Sequence, residues 1–222
     1  MFSEVYKRYV IYHTRGVQKV VVAGCYSETF WIPRIYTNPF EKNTMPIIRQ
    51  STTDDISSIK HILQDVYSRL NEADFFDAIR NADTFIPELS LIAENNGVVR
   101  GYILLSRIGI RTANEILPTL IIQPFCVDER WRGSGVGKML LNEALKRAES
   151  LGFTSCVALY CGDYFKRFGF LPARYEFGLE LYFDVDDKDF LALEITEDAL
   201  YRKSGFLLFP PVFSKIDPVL IS

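Results

Sequence analysis

The sequence predicts an α/β fold, on three observations. An apolar run from Leu117 to Val127 reads as a strand. A turn with glycines at 133, 135 and 137 follows it and opens a long amphipathic helix, which Gly152 closes. A second β-rich run, Thr154 to Cys161, comes next. Strand, glycine turn, helix and strand make a βαβ-like unit, so the two strands should lie near-parallel in one sheet.

The other elements follow from local pattern. Residues 1–44 are aromatic and β-branched, without helical periodicity. Their one strongly apolar run, Val20-Val21-Val22, is too short for a signal-peptide core, and no small-residue cleavage pattern follows it. Between Thr53 and Leu70, Ile56, Ile59, Leu63, Val66, Tyr67 and Leu70 recur at three- and four-residue steps, which predicts a helix. Thr52 with Asp55 three residues later resembles a capping box at its start. A second, shorter helix is expected over Glu72 to Asn81. Leu89 to Glu94 and Val98 to Ile110 read as strands, with Asn95-Asn96-Gly97 as a hairpin turn.

Asn114 to Val127 is the next strand region, interrupted by Pro118 and Pro124. Prolines remove ladder donors, so bends or unpaired stretches are expected there. Gly135 to Leu151 has the clearest helical pattern, with Val136, Leu140 and Ala144 as its apolar stripe. After it, Phe177, Leu179, Leu181 and Phe183 alternate and predict a late strand over 175–183. Phe190 to Glu194 and Gly205 to Phe209 read as further strands, and Thr196 to Tyr201 as a helical turn.

The stretch Arg130-Trp131-Arg132-Gly133-Ser134-Gly135-Val136-Gly137-Lys138 carries the most chemistry. Alternate glycines at a helix start let backbone N–H groups converge on an anion where the macrodipole is positive. Arg132 and Lys138 add charge, and a pyrophosphate is the natural ligand. A P-loop would need a Gly at Arg132 and a Ser or Thr at Met139, which would bind magnesium. A Rossmann fingerprint would need G-x-G-x-x-G and an acidic residue about 20 positions on; this chain has neither. The pattern Arg/Gln-x-x-Gly-x-Gly/Ala is met by Arg132, Gly135 and Gly137. It resembles the acetyl-CoA pyrophosphate loop of the GNAT superfamily of N-acetyltransferases.

A second block agrees. Asp163-Tyr164-Phe165-Lys166-Arg167-Phe168-Gly169-Phe170 resembles the family's Y-x-R-F-G-F segment, one helix and one strand later. Ile48-Arg49-Gln50 with Asp54-Asp55 resembles its opening strand and first helix. Leu91-Ile92-Ala93-Glu94, Gly97 and Gly101-Tyr102 resemble its second and third strands. The resemblance spans roughly Met45 to Phe170. It continues more loosely to Phe213, as in a bacterial subgroup of acetyltransferases with an extended C-terminus. It implies a GNAT-like mixed, strongly bent sheet of six or seven strands with helices on both faces.

Because the resemblance begins at Met45-Pro46-Ile47-Ile48-Arg49, Met45 is the expected functional start. Residues 1–44 are then an N-terminal extension outside the functional domain. The alternative is a native extension adding one or two strands. The acetyltransferase domain is expected over 45–222, with a C-terminal strand extension from about 171.

At 222 residues the chain can hold one domain with a sizeable core. A net charge of −3 gives no reason to expect nucleic acid or an anionic membrane as partner. No apolar run approaches a membrane span. Cys25, Cys126, Cys156 and Cys161 show no C-x-x-C pair or metal-ligand spacing, and there are two histidines, His13 and His61. That argues against a metal site or a Cys/His nucleophile and for reduced, cytoplasmic thiols.

The resemblance implies transfer of an acetyl group from acetyl-CoA, without a metal, to a primary amine on a small molecule or peptide, by direct attack in a ternary complex. A homodimer is kept open as the assembly. Phe125, Cys126 and Val127 match the strand end whose backbone pairs with the pantetheine arm and polarises the thioester carbonyl. Arg132, Gly133, Ser134, Gly135, Val136, Gly137 and Lys138 match the pyrophosphate loop.

Many members place a Tyr four residues before the Gly of the G-F pair, to protonate the departing thiolate. Here that position is Phe165, which has no hydroxyl. Tyr164 is the neighbouring candidate and would need a local shift to substitute, since successive helical residues point about 100° apart. Glu94, Asp128 and Glu129 are the candidate bases by position. Trp131 and Cys126 read as packing residues, His61 as surface, and Arg167 as either a phosphate contact or a salt bridge. A non-catalytic acyl-CoA-binding or sensing domain is the alternative function, motivated by Phe165.

Overall fold

The structure, a computed structural model, describes residues 8–14, 17–23, 45–67, 71–160 and 162–215. The chain divides into two units, Met1–Met45 and Pro46–Ser222. In the first, β1 (Arg8–Thr14) and β2 (Val17–Ala23) form an antiparallel hairpin, in register from Arg8↔Ala23 to Thr14↔Val17. Val20, Val21 and Val22 lie in β2.

The second unit runs β3 (Ile47–Gln50), α1 (Ile56–Tyr67), α2 (Asn71–Arg80), β4 (Ser90–Asn95), β5 (Val98–Arg111), β6 (Ile116–Val127), α3 (Val136–Ser150) and β7 (Ser155–Leu159). It continues with α4 (Gly162–Phe165), β8 (Leu171–Pro172), α5 (Ala173–Phe177), β9 (Leu179–Glu180), β10 (Phe190–Glu194) and β11 (Gly205–Leu208). One mixed sheet of nine strands follows the path β3-β4-β5-β6-β7-β10-β8. A branch, β11 with β9, adds to the far half of β5. β6 and β7 are parallel, as the βαβ reading required.

Alternation along the strands separates two cores. Leu91, Ala93, Ile103, Leu105, Leu120 and Ile122 face α3, whose Val136, Leu140, Leu141, Ala144 and Ala148 are buried against them. Ile92, Tyr102, Leu104, Ile108, Ile110 and Ile121 face the opposite way, toward Ile59 and Leu63 of α1 and Phe76 and Ile79 of α2. A period of two in the strands and a period near 3.6 in the helices meet on each face, so both sides of the sheet are covered.

Local signals act as expected at several points. The Asp55 carboxylate accepts from the Thr52 N–H at 2.7 Å and hydroxyl at 2.9 Å, fixing the 3₁₀ turn that leads into α1. Asn96 and Gly97, at φ 51° and 75°, make the two-residue turn between β4 and β5. Position 70, expected at the end of α1, lies outside the described residues.

Two expectations need correction. Residues 175–183 are not a strand. Alternation was a weaker determinant than Gly178, which adopts φ 61° and donates to the Ala173 and Arg174 carbonyls, closing α5 as a one-turn helix. Only Leu179–Glu180 remain extended. Pro118 does not break β6 either; it stays in register opposite Gly109. Thr196 to Lys203 form successive hydrogen-bonded turns.

The α3 core sets a testable cost. Leu140 is wholly buried. Leu140→Ala should lower unfolding free energy by about 2–5 kcal/mol in a denaturant titration. A loss below about 1 kcal/mol would mean that α3 is not packed on the sheet as described.

Candidate active site

β6 and β7 are joined by only two register pairs, Leu120↔Cys156 and Ile121↔Val157. Beyond them β6 continues to Val127 on β5, and β7 continues to Leu159 on β10. Each strand is held on its outer side while no ladder links the two. A slot therefore opens between them at their C-terminal ends. Ile103 faces Phe125 and Leu105 faces Ile122, so Gln123 and Pro124 stand against Leu104 alone. This bulge is the irregularity expected at Pro124.

The chain leaves β6 through a fixed corner. The Asp128 N–H donates to the Arg100 carbonyl at 2.8 Å. Its carboxylate accepts from Arg100 Nη1 at 3.1 Å, and from Arg130 Nη2 at 3.0 Å, Nε at 3.1 Å and the backbone N–H at 3.1 Å. The Arg100 and Asp128 side chains are only 8% and 12% exposed. Burial opposes the charge on Asp128, but hydrogen bonds from the Arg130 side chain and backbone, with Arg100, hold its carboxyl below the ordinary value. The Arg100 guanidinium also lies 5.6 Å from the centre of the buried Trp131 ring.

From this corner the glycine segment turns into α3. Ser134 donates twice to the Trp131 carbonyl, from its N–H at 3.2 Å and its hydroxyl at 2.5 Å. Ser134 therefore shapes the loop, and its N–H is not offered to a ligand. Gly133 and Gly135 take φ 74° and 92°, and space beside both is open. Glycine is required at these two positions for backbone conformation rather than for room. The N–H groups of Gly133, Gly135, Val136, Gly137 and Lys138 make no hydrogen bond of ordinary geometry among the described residues. These are the unsatisfied donors of a helix start, flanked by the exposed side chains of Arg132 and Lys138.

An aromatic wall closes one side. Tyr164, half-buried on α4, packs against Phe125 at 5.5 Å, Phe165 at 5.5 Å and Phe168 at 5.0 Å. A Cβ placed on Gly137 would lie 2.5 Å from the Tyr164 Oη and 3.2 Å from the Phe125 Cζ. Burial raises the Tyr164 phenol above its ordinary pKa, with the Arg167 charge opposing it. Arg167 sits 5.5 Å from the centre of that ring and donates to the Asp163 carbonyl at 3.3 Å. Phe165 is 3% exposed and packs on Phe170, so it is a core residue. Cys126 and Trp131 are also buried, and His61 is exposed.

The candidate carboxylates separate by environment. Glu94 is paired with Arg49 at 2.7 Å, and Arg49 also reaches Asp55. Asp128 is committed to two arginines. Glu129 has no ion-pair partner among the described residues, and it lines a cavity of about 890 Å³ with His61, Ile62 and Asp65 of α1, Arg100 and Arg132. The importance of Arg100 was not visible in the sequence, because its partner is 28 positions away and nothing in β5 marks it.

The Acetyltransferase (GNAT) family model matches residues 56–170, just over half of the 222. The chain belongs to the GNAT acetyltransferase family. It is similar to the uncharacterized N-acetyltransferase YhbS of Escherichia coli K12, 27% identical over 171 residues, spanning 76% of this chain and 99% of YhbS. A crystal structure of Escherichia coli YhbS in complex with CoA superposes with TM-score 0.71 at 24% identity, over 82% of this chain and 97% of that one. A GNAT family acetyltransferase from Brucella melitensis in complex with acetyl-CoA gives TM-score 0.59 at 25% identity, over 76% and 97%. No helix among the described residues is long and apolar enough to cross a membrane.

The corner gives a prediction with a defined sign. The Asp128 pKa is lowered on folding, so its contribution is present above the ordinary carboxylate range and is lost as pH falls below about 4. Asp128→Asn should cost about 2–4 kcal/mol near neutral pH by leaving Arg100 buried without its carboxylate. The gap from the parent protein should narrow as pH falls below that range. A pH-independent gap, measured by denaturation at several pH values, would remove the charge from the explanation.

Proposed function

We propose that this protein transfers an acetyl group from acetyl-CoA to a primary amine, by direct attack in a ternary complex. The observation that carries this reading is the open amide cluster at the head of α3, set at the mouth of the slot between β6 and β7. The amides of Gly133, Gly135, Val136, Gly137 and Lys138, with Arg132, would hold the CoA diphosphate. The pantetheine arm would enter the slot beside Phe125, Cys126 and Val127 and pair with β6 as an added strand. Backbone donors there would polarise the thioester carbonyl.

The chemistry needs little more. The neutral amine nitrogen attacks the carbonyl carbon, the C–S bond breaks, and CoA leaves as thiolate while the new ammonium loses a proton. A thiolate with an ordinary pKa of about 8.5 is a competent leaving group, so the Phe at 165 does not prevent turnover. Glu129, free of the ion pairs that occupy Glu94 and Asp128, is the proposed base, directly or through water. The cavity between α1 and the 128–132 segment is the proposed acceptor compartment.

The alternative, an acyl-CoA sensor without turnover, is motivated by Phe165 alone. Calorimetry with CoA and thiol release from acetyl-CoA over a panel of primary amines separate the two. Transfer predicts both binding and release; binding without release on any amine supports the sensor. Reversing charge in the cradle tests its location. Arg132→Glu with Gly135→Asp should raise the acetyl-CoA dissociation constant at least ~tenfold in a folded variant. Unchanged affinity would place the diphosphate elsewhere.

A further inference from the structure

Tyr164 neighbours the position where a proton donor to the thiolate would be sought, but its hydroxyl lies against the head of α3. The Tyr164 Oη packs on the first turn of α3, so close to Gly137 that a methyl group there would fall 2.5 Å away. That turn carries the open amides. Between the CoA diphosphate and its sulfur lie about a dozen chain bonds, which span roughly 14 Å when extended at the reach of a polypeptide backbone. An arm that pairs along β6 as a strand is extended. A group resting on Gly137 then cannot reach both ends.

The geometry points to Tyr164 as a binding residue for the cofactor: its hydroxyl donates to a phosphoryl oxygen of the diphosphate and extends the amide cluster with a side-chain donor. This rests on the transferase reading for the identity of the ligand. Three features hold the phenol in place. Phe125 and Phe168 pack against the ring, at 5.5 and 5.0 Å. The Arg167 guanidinium lies over the ring, 5.5 Å from its centre. Gly137 supplies the room, since its φ is not in the left-handed region and conformation alone would admit alanine. Burial keeps the phenol protonated, and so a donor, through neutral pH.

Tyr164→Phe keeps the ring and removes only the hydroxyl. By calorimetry it should raise the CoA dissociation constant at least ~fivefold, the loss of one hydrogen bond to a charged oxygen. Gly137→Ala, which favours helix and so keeps the fold, should weaken CoA similarly by pushing the phenol off its seat. The two changes together should cost less than their sum. In turnover, kcat at saturating acetyl-CoA and its pH profile should be unchanged in Tyr164→Phe. Its kcat/KM should fall for acetyl-CoA but not for S-acetylpantetheine, which lacks the diphosphate.

Unchanged CoA affinity in Tyr164→Phe overturns the proposal. So does an equal fall for both donors, or a lower kcat with a shifted alkaline limb, either of which would make Tyr164 a proton donor. A parent protein that binds CoA with this Tyr164 dependence yet transfers to no amine would remove the transferase reading and leave the diphosphate contact standing.

Discussion

The organisation of the site depends on one constraint: the first turn of α3 leaves backbone donors that no group among the described residues satisfies. A helix start can be capped by a side chain, but here the N-cap is Gly135, which has none to offer. The nearest hydroxyl, on Ser134, turns back to Trp131 instead. The donors stand beside two exposed cationic side chains.

Holding those donors still takes a scaffold on both sides. Behind them, the stripe of Val136, Leu140 and Ala144 fixes the direction of α3 against β4 and β5. Before them, the buried contact of Asp128 with Arg100 fixes where the chain leaves β6. Strand, corner and helix therefore share a frame with the slot between β6 and β7. The early end of the β6–β7 ladder, after Ile121 and Val157, leaves the slot open at the point where the corner delivers the donors.

Much of this was legible in the sequence because it is encoded locally. The apolar stripes of α1 and α3, the Asn96-Gly97 turn and the glycines at 133 and 135 each follow from near-neighbour chemistry, and each has its counterpart in the structure. The failures are also informative. Alternation over 175–183 predicted a strand, yet one left-handed glycine at 178 decided the segment. The turn of both Ser134 donors back to a carbonyl three residues earlier had no local sign either. The links from Arg100 to Asp128 and from Gly137 to Tyr164 join residues 28 and 27 positions apart in sequence. No periodicity marks such pairs; the pairing of β5 with β6, Gly101 opposite Val127, brings the first together, and the approach of α4 to the head of α3 the second.

The most direct test is a crystal structure of the protein with acetyl-CoA bound. The diphosphate oxygens should lie within hydrogen-bonding distance of amides among Gly133, Gly135, Val136, Gly137 and Lys138, with the arm between β6 and β7 and the thioester beside Phe125 to Val127. A diphosphate bound elsewhere on the protein, or an arm that avoids that slot, would contradict the account at its base.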